Sequence, residues 1–382
     1  MSILIKKKKL AKGWKKLYIM HKERQVATIC EDGKATVYFP SYMPYNLYFE
    51  KGDDMETRVN NLNNFYYWCA SRVLTLDRKY AKEIINSIGA QQATTDKDRA
   101  AIAISYHGLS MTDVYWIRGY REKTSFSKIS LYSHSLSDAF VDISLRGRSI
   151  TAQNAEMMIS RDAAGDIGTA GVSPKAWLRE EGGFCLLKDG DERDVLAELT
   201  ASRIVDCFDV EHVSYTSAMF EHLHVSKCKI ITSEDRGIVP FEFMEVYCAN
   251  HDTDTMKYVM KLDPYAYYMM NIIDFLIGNT DRHWGNWGFL VDHETNKPIS
   301  LYPLMDFNRA FTAYDTIEGG RCQTTEERQS QMDAAIEAVR AVGLNQIADI
   351  QPEWFGENKK AESMFFRRLA VLEEADTHRF DD

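Results

Sequence analysis

The sequence predicts an α+β fold in which a mixed α/β region precedes two lobes. Three observations carry that prediction. Residues 14–49 alternate apolar and polar in strand fashion, and helical spacing follows across 57–90. A strand–turn–strand pattern at 176–187 leads into a helix at 194–208. A continuous apolar run, Tyr265 to Ile277, precedes a further hairpin and two amphipathic helices, at 325–342 and 357–375. Soft boundaries then give an N-terminal region at 1–150, a smaller lobe at 151–235 and a mostly helical larger lobe at 236–382.

The N-terminal region opens on Lys6–Lys9, Lys12, Lys15, Lys16, Lys22 and Arg24. A solvated end leading into a first strand accounts for this run better than an acidic partner or an anionic surface does. Trp14–Met20, Val26–Cys30 and Ala35–Phe39 read as strands of a small antiparallel sheet, with a turn at Glu31-Asp-Gly33 and stops at Pro40 and Pro44. Phe65, Trp68, Cys69, Arg72 and Val73 recur at helical spacing, and this aromatic cluster suits core packing better than a ligand cage. Thr95–Ser105 is a further helix. In His107–Ile117, Ser110 and Asp113 are cap or turn residues, while Tyr115 and Trp116 pack. Phe126 to Leu145 holds two short apolar pieces, and 144–150 is the best boundary.

The smaller lobe begins with Gly165-Asp-Ile-Gly-Thr-Ala-Gly171-Val-Ser-Pro-Lys175, with a glycine at every third position. Such spacing lets backbone N–H groups approach phosphates, although the pattern is neither G-x-G-x-x-G nor a Walker motif. Strands at Ala176–Leu178 and Phe184–Leu187 flank a turn at 180–183. Lys188 ends the second strand, and Glu198 lies on the next helix. A lysine on the phosphates, positioned by a helix glutamate, is a phosphoryl-transfer arrangement, with Lys175 as the alternative lysine. Lys227–Thr232 is an alternating strand. Ser233-Glu-Asp-Arg-Gly237 follows as a hinge whose backbone, at Ser233 and Glu234, would hydrogen-bond adenine.

The larger lobe carries the sharpest pattern. Asp263-Pro264 is an N-cap followed by proline at the first helical position, and Gly278 is a helix stop. Asp281 falls in the loop beyond, with Asn286 five residues later. Trp287–Val291 and Ile299–Met305 read as strands around a polar turn, and Asp306 closes the second. A hairpin centred near Asn296 sets Asn286 and Asp306 roughly opposite each other. One carboxylate (Asp281) would accept a hydroxyl proton. An amide oxygen (Asn286) and a second carboxylate (Asp306) would hold magnesium on nucleotide phosphates.

Composition bounds the rest. The chain has 382 residues, 45% apolar and 27% charged, with a net charge of −10. That is an ordinary globular chain without the basic footprint of nucleic-acid binding. No segment approaches the roughly 20 apolar residues of a membrane span. Seven scattered cysteines without a C-x-x-C argue for reduced thiols in a cytoplasmic protein. A competing metal-hydrolase reading would use His251, Asp252 and Asp254, which lie in an apparent loop.

Gly278-Asn-Thr-Asp-Arg-His-Trp-Gly-Asn286 resembles the catalytic loop of HipA-type bacterial serine/threonine kinases, and its Asp-Arg-His-x-x-Asn core is similar to that of phosphoinositide 3-kinases. The resemblance covers about residues 100–375. It implies a bilobal protein-kinase-like fold, ATP with Mg²⁺, a protein Ser/Thr hydroxyl as acceptor, Asp281 as catalytic base, and Asn286 and Asp306 as magnesium ligands. Ala170-Gly171-Val-Ser-Pro-Lys175 resembles the family's Gly-rich loop, which makes Gly168, Gly171, Ser173 and Lys175 nucleotide-binding candidates beside Lys188 and Glu198. Where family members carry an autophosphorylated serine, this chain has Gly168 and Thr169, with Ser173 further on. The family motif after the metal-binding aspartate departs here to Asp306-Phe-Asn308. Ala310–Gly320 resembles an activation segment in position, with Thr312 and Thr316 as phosphorylation candidates. The resemblance leaves room for a separate DNA-binding, antitoxin-like partner. A pseudokinase scaffold and a lipid kinase are the alternatives.

Overall fold

The fold is seen in a computed structural model that describes residues 14–73, 95–133, 175–180, 183–188, 192–220, 222–325 and 328–379. The chain divides into two compact units. The first comprises residues 1–181 with 232–235 and 293–296, and the second 182–231, 236–292 and 297–382.

In the first unit, the predicted N-terminal strands form β1 (Lys16–His21), β2 (Arg24–Cys30) and β3 (Ala35–Val37). They join β4 (Tyr115–Gly119) in an antiparallel sheet of order β3-β2-β1-β4. Leu17 pairs with Ile29 on one side and Gly119 on the other, and a bulge follows Ile19. Two helices cover the sheet's apolar residues: α1 (Met55–Ser71) and α2 (Asp96–Ser105). Asp54 caps α1 by accepting from the Thr57 amide, and Thr95 with Asp98 forms a capping box on α2. Phe65, Trp68 and Cys69 pack with Leu17, Ile19, Val26 and Ile117 in one core, so the aromatic cluster is structural. Asp113 pairs with the buried Arg72 at 2.8 Å. The short β5 (Lys175–Glu180) also belongs to this unit.

His21 is buried at 3% exposure, edge-on to Tyr42, Tyr115 and His293, and its Nε2 has no hydrogen-bond partner among the described residues. Burial, reinforced by His293, pulls its pKa down to about 3. The unfolded chain therefore takes up a proton below about pH 6.5 that the folded unit refuses until about pH 3. Within that window stability is lost as pH falls, by about 1.4 kcal/mol per unit. Urea unfolding at pH 7 and 5.5 checks this, and a His21→Leu variant should show a flatter pH dependence.

In the second unit, β6 (Gly183–Lys188), β8 (Leu223–Lys229) and β7 (Thr216–Phe220) form one antiparallel sheet, flanked by α3 (Glu192–Val205). A second sheet has the order β11-β10-β9, from β9 (Arg236–Pro240), β10 (Gly288–Asp292) and β11 (Lys297–Leu301). The helices are α4 (Phe241–Ala249), α5 (Thr255–Leu262), α6 (Pro264–Ile277), α7 (Gln331–Val342) and α8 (Lys359–Thr377).

Several boundaries differ from the sequence reading. The strand expected at 227–232 lies earlier, at Leu223–Lys229, because it pairs with the unforeseen β7. Arg236 and Gly237, read as part of a hinge, open β9 instead. β11 stops at Leu301, two residues before Pro303, which has no amide to donate to a ladder. The helix expected from Thr325 begins at Gln331, where Ser330 caps it by accepting from the Asp333 amide. None of the seven cysteines is in a disulfide and six of them are buried, and among the described residues no helix is long and apolar enough to cross a membrane.

Candidate active site

The site in the second unit is built around the end of α6. Asp263 caps this helix by accepting from the Ala266 amide at 3.1 Å, Pro264 follows, and Gly278 ends it in the left-handed region at φ 60°. The loop beyond is stitched by its own side chains. Asn279 donates to Asp274 Oδ1 at 3.0 Å and accepts from the Asp281 amide at 3.1 Å. Asn286 Nδ2 donates to the Asp281 carbonyl at 2.8 Å and lies 3.4 Å from its carboxylate. His283 Nδ1 accepts from the Gly285 amide, and its Nε2 is 3.9 Å from Asp281.

Arg282 is the keystone of this loop. It is 2% exposed and grips Asp274 with Nε at 2.8 Å and Nη2 at 3.0 Å. Its Nη1 donates both to the Asn286 carbonyl at 2.8 Å and to the Met305 carbonyl at 2.7 Å. One nitrogen bonded to both carbonyls draws the chain at Asn286 alongside the residue preceding Asp306. The β10–β11 pairing, Phe289 opposite Leu301 and Leu290 opposite Ser300, continues toward the same juxtaposition.

Lys188, at the end of β6, is buried and donates to Glu198 of α3 at 2.6 Å, to Tyr215 Oη at 3.2 Å and to Asp306 Oδ1. Glu198, 1% exposed, takes a second hydrogen bond from Ser226 of β8. Burial opposes the charge on Lys188, but the carboxylates of Asp306 and Glu198 outweigh it and hold its pKa well above the usual lysine range. Asp306 itself sits in the left-handed region at φ 64°, and its amide donates to Tyr215 Oη at 3.2 Å. Phe307, fully buried, packs edge-on to Tyr215. Partial burial raises the pKa of Asp281. His283 opposes that rise and the charge on Asp306 adds to it.

Five predicted residues therefore share the second unit: Lys188, Glu198, Asp281, Asn286 and Asp306. The others lie elsewhere. Gly168, Gly171 and Ser173 fall outside the described residues, and Lys175 contributes the first backbone position of β5 in the first unit. Ser233 and Glu234 also belong to the first unit. There Ser233 Oγ accepts from the Asp235 amide, and the Glu234 carboxylate accepts from Ser130 at 2.6 Å and Ser133 at 3.2 Å. The competing metal reading finds no geometry. Asp254 caps α5, His251 stacks on Tyr247, and among the described residues no three His, Cys, Asp or Glu side chains are grouped to hold a metal.

The sequence reading missed Asp274, Tyr215 and Ser226. For Asp274 a signal existed: a carboxylate inside an otherwise apolar, buried helix needs a cation, and Arg282 lies eight residues on.

The Helicobacter pylori proinflammatory kinase CtkA superimposes with a TM-score of 0.44 at 14% identity, covering 56% of this chain and 93% of that one. HipA of Shewanella oneidensis MR-1, solved as a toxin–antitoxin system with HipB and operator DNA, superimposes with a TM-score of 0.50 at 11% identity, covering 96% of both chains. The fold is HipA-like and kinase-like. The comparison with family models finds no match, and neither does the one with curated sequences. In this HipA-like fold the donor set suits a hard cation. The Asn286 amide nitrogen is turned onto Asp281, which leaves its oxygen available to a cation, and Asp306 carries a carboxylate.

Proposed function

We propose that the chain is an ATP- and Mg²⁺-dependent kinase that transfers the γ-phosphate to a Ser/Thr hydroxyl of a protein. The observation that carries this reading is Lys188, held between Glu198 and Asp306 in the same unit as the stitched Asp281–Asn286 loop. Lys188 is pre-positioned by Glu198, so taking a phosphate oxygen requires only that it exchange its bond to Asp306. Asn286 and Asp306 would hold Mg²⁺, which offsets charge on the phosphates when bound. Asp281 orients the acceptor hydroxyl and takes its proton. Arg282 keeps these groups in register through the backbone. By likeness to the HipA–HipB assembly, the reading includes a separate DNA-binding partner.

The test is incubation of the purified chain with Mg²⁺ and γ-labelled ATP beside folded Asp281→Asn and Asp306→Ala. Label on the wild type, reduced about 10²–10⁴-fold in Asp281→Asn, is the expected result. Asp306→Ala should lose at least about 10²-fold with little recovery at high ATP. Equal labelling of all three proteins would overturn the assignment. Because the pKa of Asp281 is raised, the rate should decline on acidification before an ordinary carboxylate would protonate, and Asp281→Asn should lack that limb.

A further inference from the structure

In the kinase reading, Ala310–Gly320 takes the place of an activation segment, and such segments are commonly ordered by a phosphorylated residue that pairs with arginine. Here an arginine does the work without a phosphate. Arg368 of α8 is fully buried and makes no salt bridge among the described residues. Its Nη1 donates to the Phe275 carbonyl at 2.6 Å, and its Nη2 donates to the carbonyls of Ala313 and, at 2.9 Å, Thr316. The guanidinium lies over the rings of Tyr314 and Phe275, at 4.6 and 4.9 Å from their centres.

The same segment caps α6. A helix leaves its final carbonyls without intrahelical partners. Here the Phe275 carbonyl takes Arg368, the Leu276 carbonyl takes the Tyr314 hydroxyl, the Ile277 carbonyl takes the Phe311 amide at 2.6 Å, and the Gly278 carbonyl takes the Ala313 amide at 3.2 Å. A cation at this negative helix end is favourable as well. Phe311 is held at φ 60°, a costly conformation for an aromatic residue that persists only where its surroundings enforce it. Gly278 admits the clamp, since a Cβ there would lie 2.6 Å from the Tyr314 ring and 3.1 Å from Arg368. Swinging the segment out would take these partners from the Leu276, Ile277 and Gly278 carbonyls and from Arg368 Nη2, leaving the guanidinium only its Nη1 bond to Phe275 among those named. Thr312 spends its hydroxyl on the Arg309 carbonyl at 2.6 Å, and Thr316 enters the clamp through its backbone alone.

We infer that Arg368 and Tyr314 are positioning residues that fix residues 310–320 against the end of α6, and with it the start of the catalytic loop, in the unphosphorylated chain. The inference rests on the kinase reading for the segment's role, but its structural arm is independent of activity.

Hydrogen–deuterium exchange on the full, unphosphorylated, nucleotide-free chain tests that arm. The Phe311 and Ala313 amides should exchange as slowly as core amides, and both Arg368→Lys and Tyr314→Phe should speed exchange across 310–320 and 276–283. In labelling assays the same variants should lose kcat by about 10–10²-fold with the KM for ATP little changed, while Thr312→Val/Thr316→Val keeps wild-type exchange and rate. Tyr314→Phe removes one hydroxyl and decides the matter if Arg368→Lys does not fold. Fast exchange of the wild-type segment, or loss of activity in the double threonine variant, overturns the inference. If the wild type transfers no phosphate, slow exchange released by Arg368→Lys or Tyr314→Phe still upholds the clamp, and only the kinase reading fails.

Discussion

Lys188→Met is expected to lower the stability of the second unit by about 3–5 kcal/mol and to remove at least about 10²-fold of phosphoryl transfer. The size of the effect follows from what the lysine leaves behind. Glu198 is 1% exposed and, among the described residues, keeps only the Ser226 hydroxyl, and Asp306 loses the cation that separates the two carboxylates. An unpaired buried charge costs far more than the net value of the pair that held it. A second variant isolates that cause. Lys188→Met/Glu198→Leu removes the orphaned charge and should recover much of the stability, while transfer stays lost because no lysine remains to take a phosphate oxygen. Urea unfolding followed by tryptophan fluorescence, with labelling assays in parallel, separates the two effects. A single variant as stable as wild type would mean that the ion pair is not buried as described.

The pairing of Lys188 with Glu198 is legible in the sequence because it is nearly local: a strand end, a turn and a helix bring the two within ten residues of each other. The end of α6 is legible for a similar reason, since Asp263-Pro264 and Gly278 are punctuation that local sterics dictate. What the sequence does not show are partners set by long-range packing. Tyr215 touches both Lys188 and Asp306, yet it reads as one aromatic among twenty tyrosines. β7 is an edge strand with no buried residue, so it carries no period-2 apolar signal. Arg368 looks like any charge on an amphipathic helix, and only the fold reveals that its face is buried. Proline and cap residues shifted the ends of β11 and α7, where periodicity alone had extended both.

Arg282→Met carries the second large expectation: a loss of about 3–5 kcal/mol, together with about 10²-fold lower transfer under conditions where the variant remains folded. The stability term comes from Asp274, 5% exposed inside α6, which would keep only Asn279 as a side-chain partner. The activity term has a different origin. Arg282 Nη1 is the bridge between the Asn286 and Met305 carbonyls, and without it Asn286 and Asp306 lose their common anchor. Methionine fills the volume but offers no donors, so packing alone cannot restore the register. Asp274→Asn distinguishes the two terms. It removes the carboxylate but leaves Arg282 its bonds to both carbonyls, so stability should fall while transfer by the folded fraction stays closer to wild type. An exposed pair such as Lys359–Glu362 provides the contrast, since its removal should change neither quantity measurably. If Arg282→Met kept full transfer once folded, Asn286 and Asp306 would be held by the β10–β11 ladder alone, and the guanidinium would be a stabilising residue without a part in positioning the site.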